Sequence, residues 1–204
     1  MRASGADHRQ MDLKEHLHGY FKTRRTDLLS KLDGLSEYDV RRPMTSTGTN
    51  LLGLVKHVAS IEVGYFGEVF GRPFPAALPW FDAERDADYW APPEQRCADI
   101  IALHHACAVH SNATIEALPL DAPGVVPWWL DERRKTTLGQ LLVHMLAETS
   151  RHAGHADIIR EQIDGAIGMR PSNPNVGSVT ADDWAVHRAR LEAAARAAAE
   201  APEH

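Results

Sequence analysis

Residues 137–165 read TLGQLLVHMLAETSRHAGHADIIREQIDG, and this stretch decides the fold. It opens with a Thr-x-x-Gln capping box, in which the side chains of Thr137 and Gln140 can bond to the N–H groups of the first turn. Apolar residues then recur at helical spacing, and Gly165 follows as a stop signal. The apolar positions are Leu138, Leu141, Leu142, Met145, Ile159 and Ile163. The pattern predicts one long helix over 137–164.

Three further long segments show the same helical period, and no segment alternates as a half-buried strand does. They run over 11–33, from about 51 to 70, and over 92–118. Pro92-Pro93 would lie in the first turn of the last segment, where proline is tolerated. A short helix after Ser36 and an alanine-rich helix after Thr180 complete the set. The sequence therefore predicts an all-α fold.

Two loops rich in proline and tryptophan, 71–91 and 119–136, join these helices. Four long helices with two long connections are typical of a four-helix bundle with crossover loops. We place this bundle in residues 1–170. Residues 171–204 would form a linker and an additional C-terminal helix, which packs on the bundle or extends from it.

Composition and missing motifs exclude several classes of protein. The chain has 204 residues and a net charge of −6, so charge gives no reason to expect nucleic acid or an anionic membrane as partner. No apolar run is long enough to cross a bilayer, and Met1 to Gln10 has no signal-peptide core, so we expect a cytoplasmic location. Cys97 and Cys107 lie roughly 15 Å apart along one predicted helix, too far to form a disulfide with each other.

A carboxylate and an imidazole interrupt the apolar face of the long helix. Glu148 and His152 are four residues apart, so they lie one turn apart on the same face. A buried carboxylate is costly unless it is paired or binds a metal. His57 interrupts the second long helix in the same way, between Leu54 and Ile61. Two ligands on one helix and a third on a facing helix can form a metal site with an open coordination position.

Plainer interpretations also fit these residues. A single core histidine such as His57 is usually just hydrogen-bonded, and Glu148 with His152 can form a buried ion pair without a metal. His144 lies one turn before Glu148 and His155 lies three residues after His152, so spacing makes each a candidate ligand or, for His155, a cavity-lining residue. Gly154 can permit a close helix approach, can leave room near the metal, or can serve helix packing alone.

Two segments resemble the signature segments of the DinB-like superfamily, in particular its actinobacterial branch of mycothiol-dependent enzymes. They are Asn50–Ala59, NLLGLVKHVA, and Glu148–Asp157, ETSRHAGHAD, and the resemblance covers about residues 11–170. It implies a four-helix bundle with a metal ion, zinc or nickel, near one end. The implied ligands are His57, Glu148 and His152, a His, Glu, His set similar to that of the mycothiol-dependent maleylpyruvate isomerases. Glu148 stands where most members have a histidine, and His144 is then not a ligand.

The resemblance also implies a chemistry. A metal lowers the pKa of a thiol, so that a reactive thiolate exists at neutral pH. We therefore expect a metal-dependent thiol S-transferase or isomerase that takes mycothiol or a similar thiol and an electrophile, with His155 as a candidate general base by position. Relatives are often homodimers. The alternatives are a non-catalytic metal-binding stress-response bundle, and a metal-free bundle in which Glu148 pairs with both histidines.

Overall fold

The computed structural model describes residues 12–82, 84 and 86–200. The chain divides into two compact units, Met1–Ala166 and Ile167–His204. The first unit holds helices α1 (Leu13–Leu29), α2 (Glu37–Arg41), α3 (Leu51–Phe66), α4 (Cys97–Ala117) and α5 (Leu138–Asp164), and strands β1 (Pro123–Val125) and β2 (Lys135–Thr137). The second unit holds helix α6 (Ala181–Glu200). The predicted all-α class is confirmed.

The four long helices of the first unit, α1, α3, α4 and α5, form the bundle. Helix α3 packs against both α4 and α5, and α1 packs against α5. Every residue of α3 except Ile61 is buried, including the polar Lys56, His57, Ser60 and Glu62. The buried Arg25 of α1 makes two hydrogen bonds to Glu62 of α3, at 2.8 and 2.7 Å. This ion pair ties α1 to the central helix.

Side-chain caps fix where the two site-bearing helices begin. The Asn50 side chain accepts from the Gly53 N–H at 2.7 Å and starts α3. Thr137 and Gln140 form the predicted capping box of α5, with backbone-to-side-chain bonds of 3.3 and 3.1 Å. Helix α5 ends at Asp164, and Gly165 takes the left-handed conformation that favours glycine, with φ of 77°. The predicted bounds of this helix are confirmed.

The predicted start of the third long helix at Pro92-Pro93 is wrong, because α4 begins at Cys97. The carbonyl of Pro92 accepts from the Gln95 N–H in a turn, and the Arg41 guanidinium binds the carbonyls of Ala91 and Pro92 at 3.0 and 3.1 Å. These bonds hold the two prolines outside the helix. The Glu37 side chain then accepts from the Cys97 N–H at 3.0 Å.

Other predicted bounds were too long or missed short elements. Helix α1 stops at Leu29 and gives way to a 3-10 turn over Ser30–Leu32, and α3 stops at Phe66 before a 3-10 turn over Glu68–Phe70. The predicted loop 119–136 contains β1 and the start of β2, which pair antiparallel with Gly124 opposite Thr136. Three-residue strands are too short to show alternation, so the periodicity gave no sign of them.

The second unit contains one long helix. The Thr180 hydroxyl accepts from the Asp183 N–H at 3.2 Å, so the predicted cap of α6 is present. Within the described part of the chain, no helix combines the length and the apolar character that a membrane span needs.

Candidate metal centre

His57 is held by a carboxylate from a loop. It is buried on α3, and its Nδ1 lies 2.6 Å from Oδ2 of Asp88. Burial raises the pKa of Asp88, but the hydrogen bond from His57 and the charges of His57 and Lys56 outweigh burial and hold that pKa below its usual range. An ionised Asp88 accepts the Nδ1 hydrogen, so Nε2 of His57 is the unprotonated nitrogen, which can accept a hydrogen bond or bind a cation.

Tyr89, the next residue along this loop, covers the imidazole of His57. The two rings are stacked, with centroids 3.9 Å apart and planes 18° apart, and the Tyr89 hydroxyl lies 2.8 Å from Nε2. The Tyr89 hydroxyl is therefore within hydrogen-bonding distance of the same nitrogen that faces Glu148 of α5. Burial, joined by the charges of Asp88 and Glu148, raises the pKa of Tyr89 to about 12. Tyr89 is therefore a neutral hydrogen-bond donor at physiological pH.

Glu148 and His152 meet His57 from helix α5. Oε1 of Glu148 lies 3.0 Å from Nε2 of His152 and 3.9 Å from Nε2 of His57. The rings of the two histidines are 5.0 Å apart, edge to face. Burial, followed by the charge of His57, lowers the pKa of His152, although Glu148 acts in the opposite direction. His152 is therefore neutral at pH 7, as a metal ligand must be.

The spacing of the three ligand atoms fits a divalent cation. One atom each from His57, Glu148 and His152 lies within 4.8 Å of the other two. A tetrahedral site with bonds of about 2 Å holds its ligand atoms about 3.3 Å apart, and the measured 3.0 and 3.9 Å lie on either side of that value. No other group of this kind occurs among the residues that the structure describes. The structure brings together the three side chains that the sequence analysis proposes as ligands.

Two features of α3 dock the loop that carries Asp88 and Tyr89. A Cβ on Gly53 would lie 1.8 Å from the carbonyl oxygen of Tyr89, so only glycine lets the loop approach this closely. The buried Lys56 ammonium donates to the carbonyls of Ala87 and Trp90 at 2.9 and 2.7 Å. Sequence analysis missed these loop contacts. The available signal was Lys56 in a mostly apolar helix, since a buried ammonium needs acceptors for its hydrogens.

The other histidines of α5, His144 and His155, are not part of this group of three. The ring of His144 packs edge-on against Tyr65 and Trp129, at 4.9 and 5.3 Å. His155 is exposed, and its ring lies 5.4 Å from that of His152. Nothing lies within 4 Å of a Cβ built on Gly154, so this glycine does not mark a close helix approach.

A cavity of about 970 Å³ opens beside His57 and Glu148. His57, Glu148 and Tyr89 line one part of it, and His144 and Trp128 line another. The remaining surface is mostly apolar and comes from α3 and from residues 73–79. A volume of this size accommodates a small-molecule ligand. Trp128 is part of the described lining, whereas the Trp80 indole donates to the Ser60 hydroxyl at 2.9 Å.

Fold and site together define a DinB-like four-helix bundle with two imidazoles and a carboxylate gathered between α3 and α5. Comparison with known families gives the particular group: the model for mycothiol S-transferase matches residues 16–165, and the chain belongs to that family. The match spans α1 to α5 and confirms the resemblance to the mycothiol-related branch. A comparison with curated proteins gave no match.

Proposed function

We propose that this protein is a metal-dependent thiol S-transferase. His57, Glu148 and His152 would hold one divalent cation, zinc or nickel, and the thiol would be mycothiol or a similar low-molecular-weight thiol. The observation that carries the proposal is the meeting of three ligand atoms within 4.8 Å beside a cavity of about 970 Å³. Membership of the mycothiol S-transferase family supports the choice of thiol, and it favours transfer over isomerisation of a thiol adduct.

The residues around the site hold the two histidines in the states that bind a cation. When bound, the cation would lower the pKa of a thiol that reaches it, so that a thiolate is available at neutral pH. Asp88 fixes the His57 tautomer through the bond of 2.6 Å, and burial keeps the imidazole of His152 neutral. Three protein ligands leave a coordination position open towards the cavity.

In the transfer, the thiol sulfur forms a bond to an electrophilic carbon, and the leaving group departs with the bonding electron pair. The thiol proton passes to a base or to water. His144 lines the cavity, and burial lowers its pKa, so a neutral imidazole faces the reacting groups. His155 is exposed and stays our predicted base by position on α5. A pH–rate profile that loses a limb in His155→Asn, but keeps it in His144→Asn, would support His155.

The direct test is thiol consumption by the purified protein. With mycothiol and an electrophile, we expect activity that disappears on treatment with a chelator and returns on addition of zinc or nickel. His152→Ala should lose the activity, whereas His105→Ala, an exposed histidine on α4, should keep it. Metal binding without any thiol-dependent reaction would instead support the non-catalytic metal-binding bundle.

Two further predictions accompany this function. We infer a cytoplasmic location and a homodimer, both from the resemblance to mycothiol-dependent enzymes. Light scattering on the purified chain measures the oligomeric state directly: a dimer mass supports the inference, and a monomer mass at all concentrations contradicts it.

A further inference from the structure

One lone pair of His57, on Nε2, has two competing partners, the Tyr89 hydroxyl and a cation. The Tyr89 oxygen lies 2.8 Å from Nε2. Nδ1 of His57 donates its hydrogen to Oδ2 of Asp88 at 2.6 Å, so Nε2 carries no hydrogen of its own. Tyr89 is therefore the donor in this bond and His57 is the acceptor. A bond from Nε2 to a cation needs the same lone pair, so the hydroxyl and the cation cannot both use it.

The loop backbone and the stacking hold the Tyr89 ring in place during such an exchange. The Tyr89 carbonyl oxygen would lie 1.8 Å from a Cβ on Gly53, and it accepts from the Asn50 side-chain amide at 3.3 Å. The ring stacks on the imidazole of His57, with centroids 3.9 Å apart. The hydroxyl hydrogen, by contrast, turns about the bond between the ring and the oxygen. The hydrogen can therefore change its acceptor while the ring stays stacked.

A hydroxyl that leaves Nε2 needs a new acceptor for its hydrogen. Tyr89 lines the cavity together with His57 and Glu148. A bond from Nε2 to a cation is about 2 Å long, so the Tyr89 oxygen would lie within about 5 Å of that cation. A thiol that reaches the open coordination position places its sulfur about 2.3 Å from the cation. The sulfur and the hydroxyl are then neighbours, and an anionic sulfur attracts a hydroxyl hydrogen more strongly than neutral water does.

We propose that the Tyr89 hydroxyl competes with the cation for Nε2 of His57 and, once the cation displaces it, donates its hydrogen to the sulfur of the bound thiol. The second step rests on the proposed thiol transfer, whereas the first needs only a cation at the three ligands. The hydroxyl keeps its hydrogen and changes only its acceptor, so no proton, electron or co-reactant is exchanged. Tyr89 thus opposes cation binding when no thiol is present, and it favours thiol binding once the cation is in place.

The variant Tyr89→Phe tests the competition, because it removes the hydroxyl and keeps a ring that can stack on His57. Zinc affinity is measured without thiol, by competition with a chromophoric chelator. The variant should bind zinc about threefold to tenfold more tightly than the wild type, since a hydrogen bond no longer competes. Equal or weaker zinc binding by Tyr89→Phe would overturn the inference.

The variant Tyr65→Phe is the matched control for the zinc titration. It also removes a hydroxyl from a tyrosine that lines the cavity. That hydroxyl accepts from the indoles of Trp128 and Trp129, at 3.4 and 3.1 Å, instead of donating to a candidate ligand atom. The zinc affinity of Tyr65→Phe should therefore equal that of the wild type, and a gain as large as that of Tyr89→Phe would overturn a specific competition at His57.

Mycothiol binding to the zinc-loaded proteins tests the second step. At saturating zinc, calorimetry should give a Kd for mycothiol that is about threefold to tenfold higher in Tyr89→Phe than in the wild type, with equal zinc content. A general disturbance of the site would weaken zinc binding and thiol binding together, so effects of opposite sign identify the hydroxyl. Equal mycothiol affinity in the two loaded proteins would overturn the donation to sulfur.

The two measurements distinguish failure of this inference from failure of the proposed function. Zinc binding without mycothiol binding in either protein would contradict both thiol transfer and the donation to sulfur, and the zinc titration would still decide the competition at His57. A wild type that binds no zinc would overturn the inference and the proposed function together.

Discussion

Nδ1 of His57 and Oδ2 of Asp88 lie 2.6 Å apart, although 31 residues separate the two in the chain. This bond joins the central helix to the loop after it and fixes which nitrogen of His57 faces α5. A carboxylate behind a ligating histidine is the usual partner in metal sites. The loop that carries Asp88 and Tyr89 is therefore part of the candidate centre.

We predict that Asp88→Asn weakens metal binding without unfolding the bundle. The amide can still accept from Nδ1, but it lacks the charge that favours one tautomer and strengthens the imidazole as a ligand. Loss of such a partner typically costs about 10- to 100-fold in metal affinity. Competition titration with a chromophoric zinc chelator measures this. Glu84→Gln, an exposed change on the same loop, should match the wild type, and equal affinity in both variants would contradict the role of Asp88.

Gly53→Ala, a change on α3, should displace the loop that carries Asp88 and Tyr89. The added Cβ would lie 1.8 Å from the Tyr89 carbonyl oxygen, so either the loop or the helix must shift. We expect a loss of about 1–3 kcal/mol in the free energy of unfolding, as for other overpacked sites. The same titration should show weaker metal binding, since Asp88 moves with Tyr89.

Gly154→Ala provides the matched control on α5. It lies between His152 and His155, and nothing lies within 4 Å of its added Cβ. We expect stabilisation of about 0.5–1 kcal/mol from helix propensity, with metal binding unchanged. Urea denaturation of both glycine variants decides the comparison, and equal effects would contradict a specific contact between Gly53 and the loop.

The stability of the bundle should fall in acid because of His104. This histidine is 3% exposed, its ring nitrogens have no hydrogen-bond partner among the described residues, and burial lowers its pKa to about 4. The unfolded chain binds this proton near pH 6.5 and the folded chain only near pH 4, so stability decreases as the pH falls through that window. The loss from this group amounts to on the order of 3 kcal/mol.

His104→Phe tests this pH dependence. It removes the titrating group and keeps a ring of similar size, so the variant should gain stability relative to the wild type between pH 6.5 and 4. His105→Phe, at the exposed neighbouring position, should show no such pH-dependent difference in stability from the wild type. Denaturation midpoints at several pH values measure this difference in stability. If the stabilities of His104→Phe and the wild type change with pH in the same way, a buried neutral His104 is excluded.

Much of this site could be predicted from the sequence because its ligands interrupt regular helices. Periodicity placed Glu148 and His152 one turn apart on α5, and their side chains meet as expected. The choice of His57 over His144 came from the family resemblance. In the structure, the ring of His144 packs against Tyr65 and Trp129, and His144 is not one of the three residues whose candidate ligand atoms meet.

Asp88 and Tyr89 could not be predicted in this way, because they lie in a loop without periodicity. Their positions depend on a close backbone approach at Gly53 and on carbonyl contacts of Lys56, which are tertiary interactions. The short strands β1 and β2 were missed for a similar reason. They pair with each other across residues 126–134, and three residues each carry no pattern of their own.

The central claim is that His57, Glu148 and His152 bind a divalent metal ion. Elemental analysis of the purified wild type, of Glu148→Ala/His152→Ala and of the matched pair His144→Ala/His155→Ala tests it most directly. We predict about one zinc or nickel ion per chain in the wild type and in the matched pair, and none in the first variant, with a chelator lowering Tm only where metal is bound. Equal metal content in all three proteins, or a wild-type Tm that does not change on addition of the chelator, would contradict the claim. Either result would favour a metal-free site in which Glu148 pairs with the two histidines.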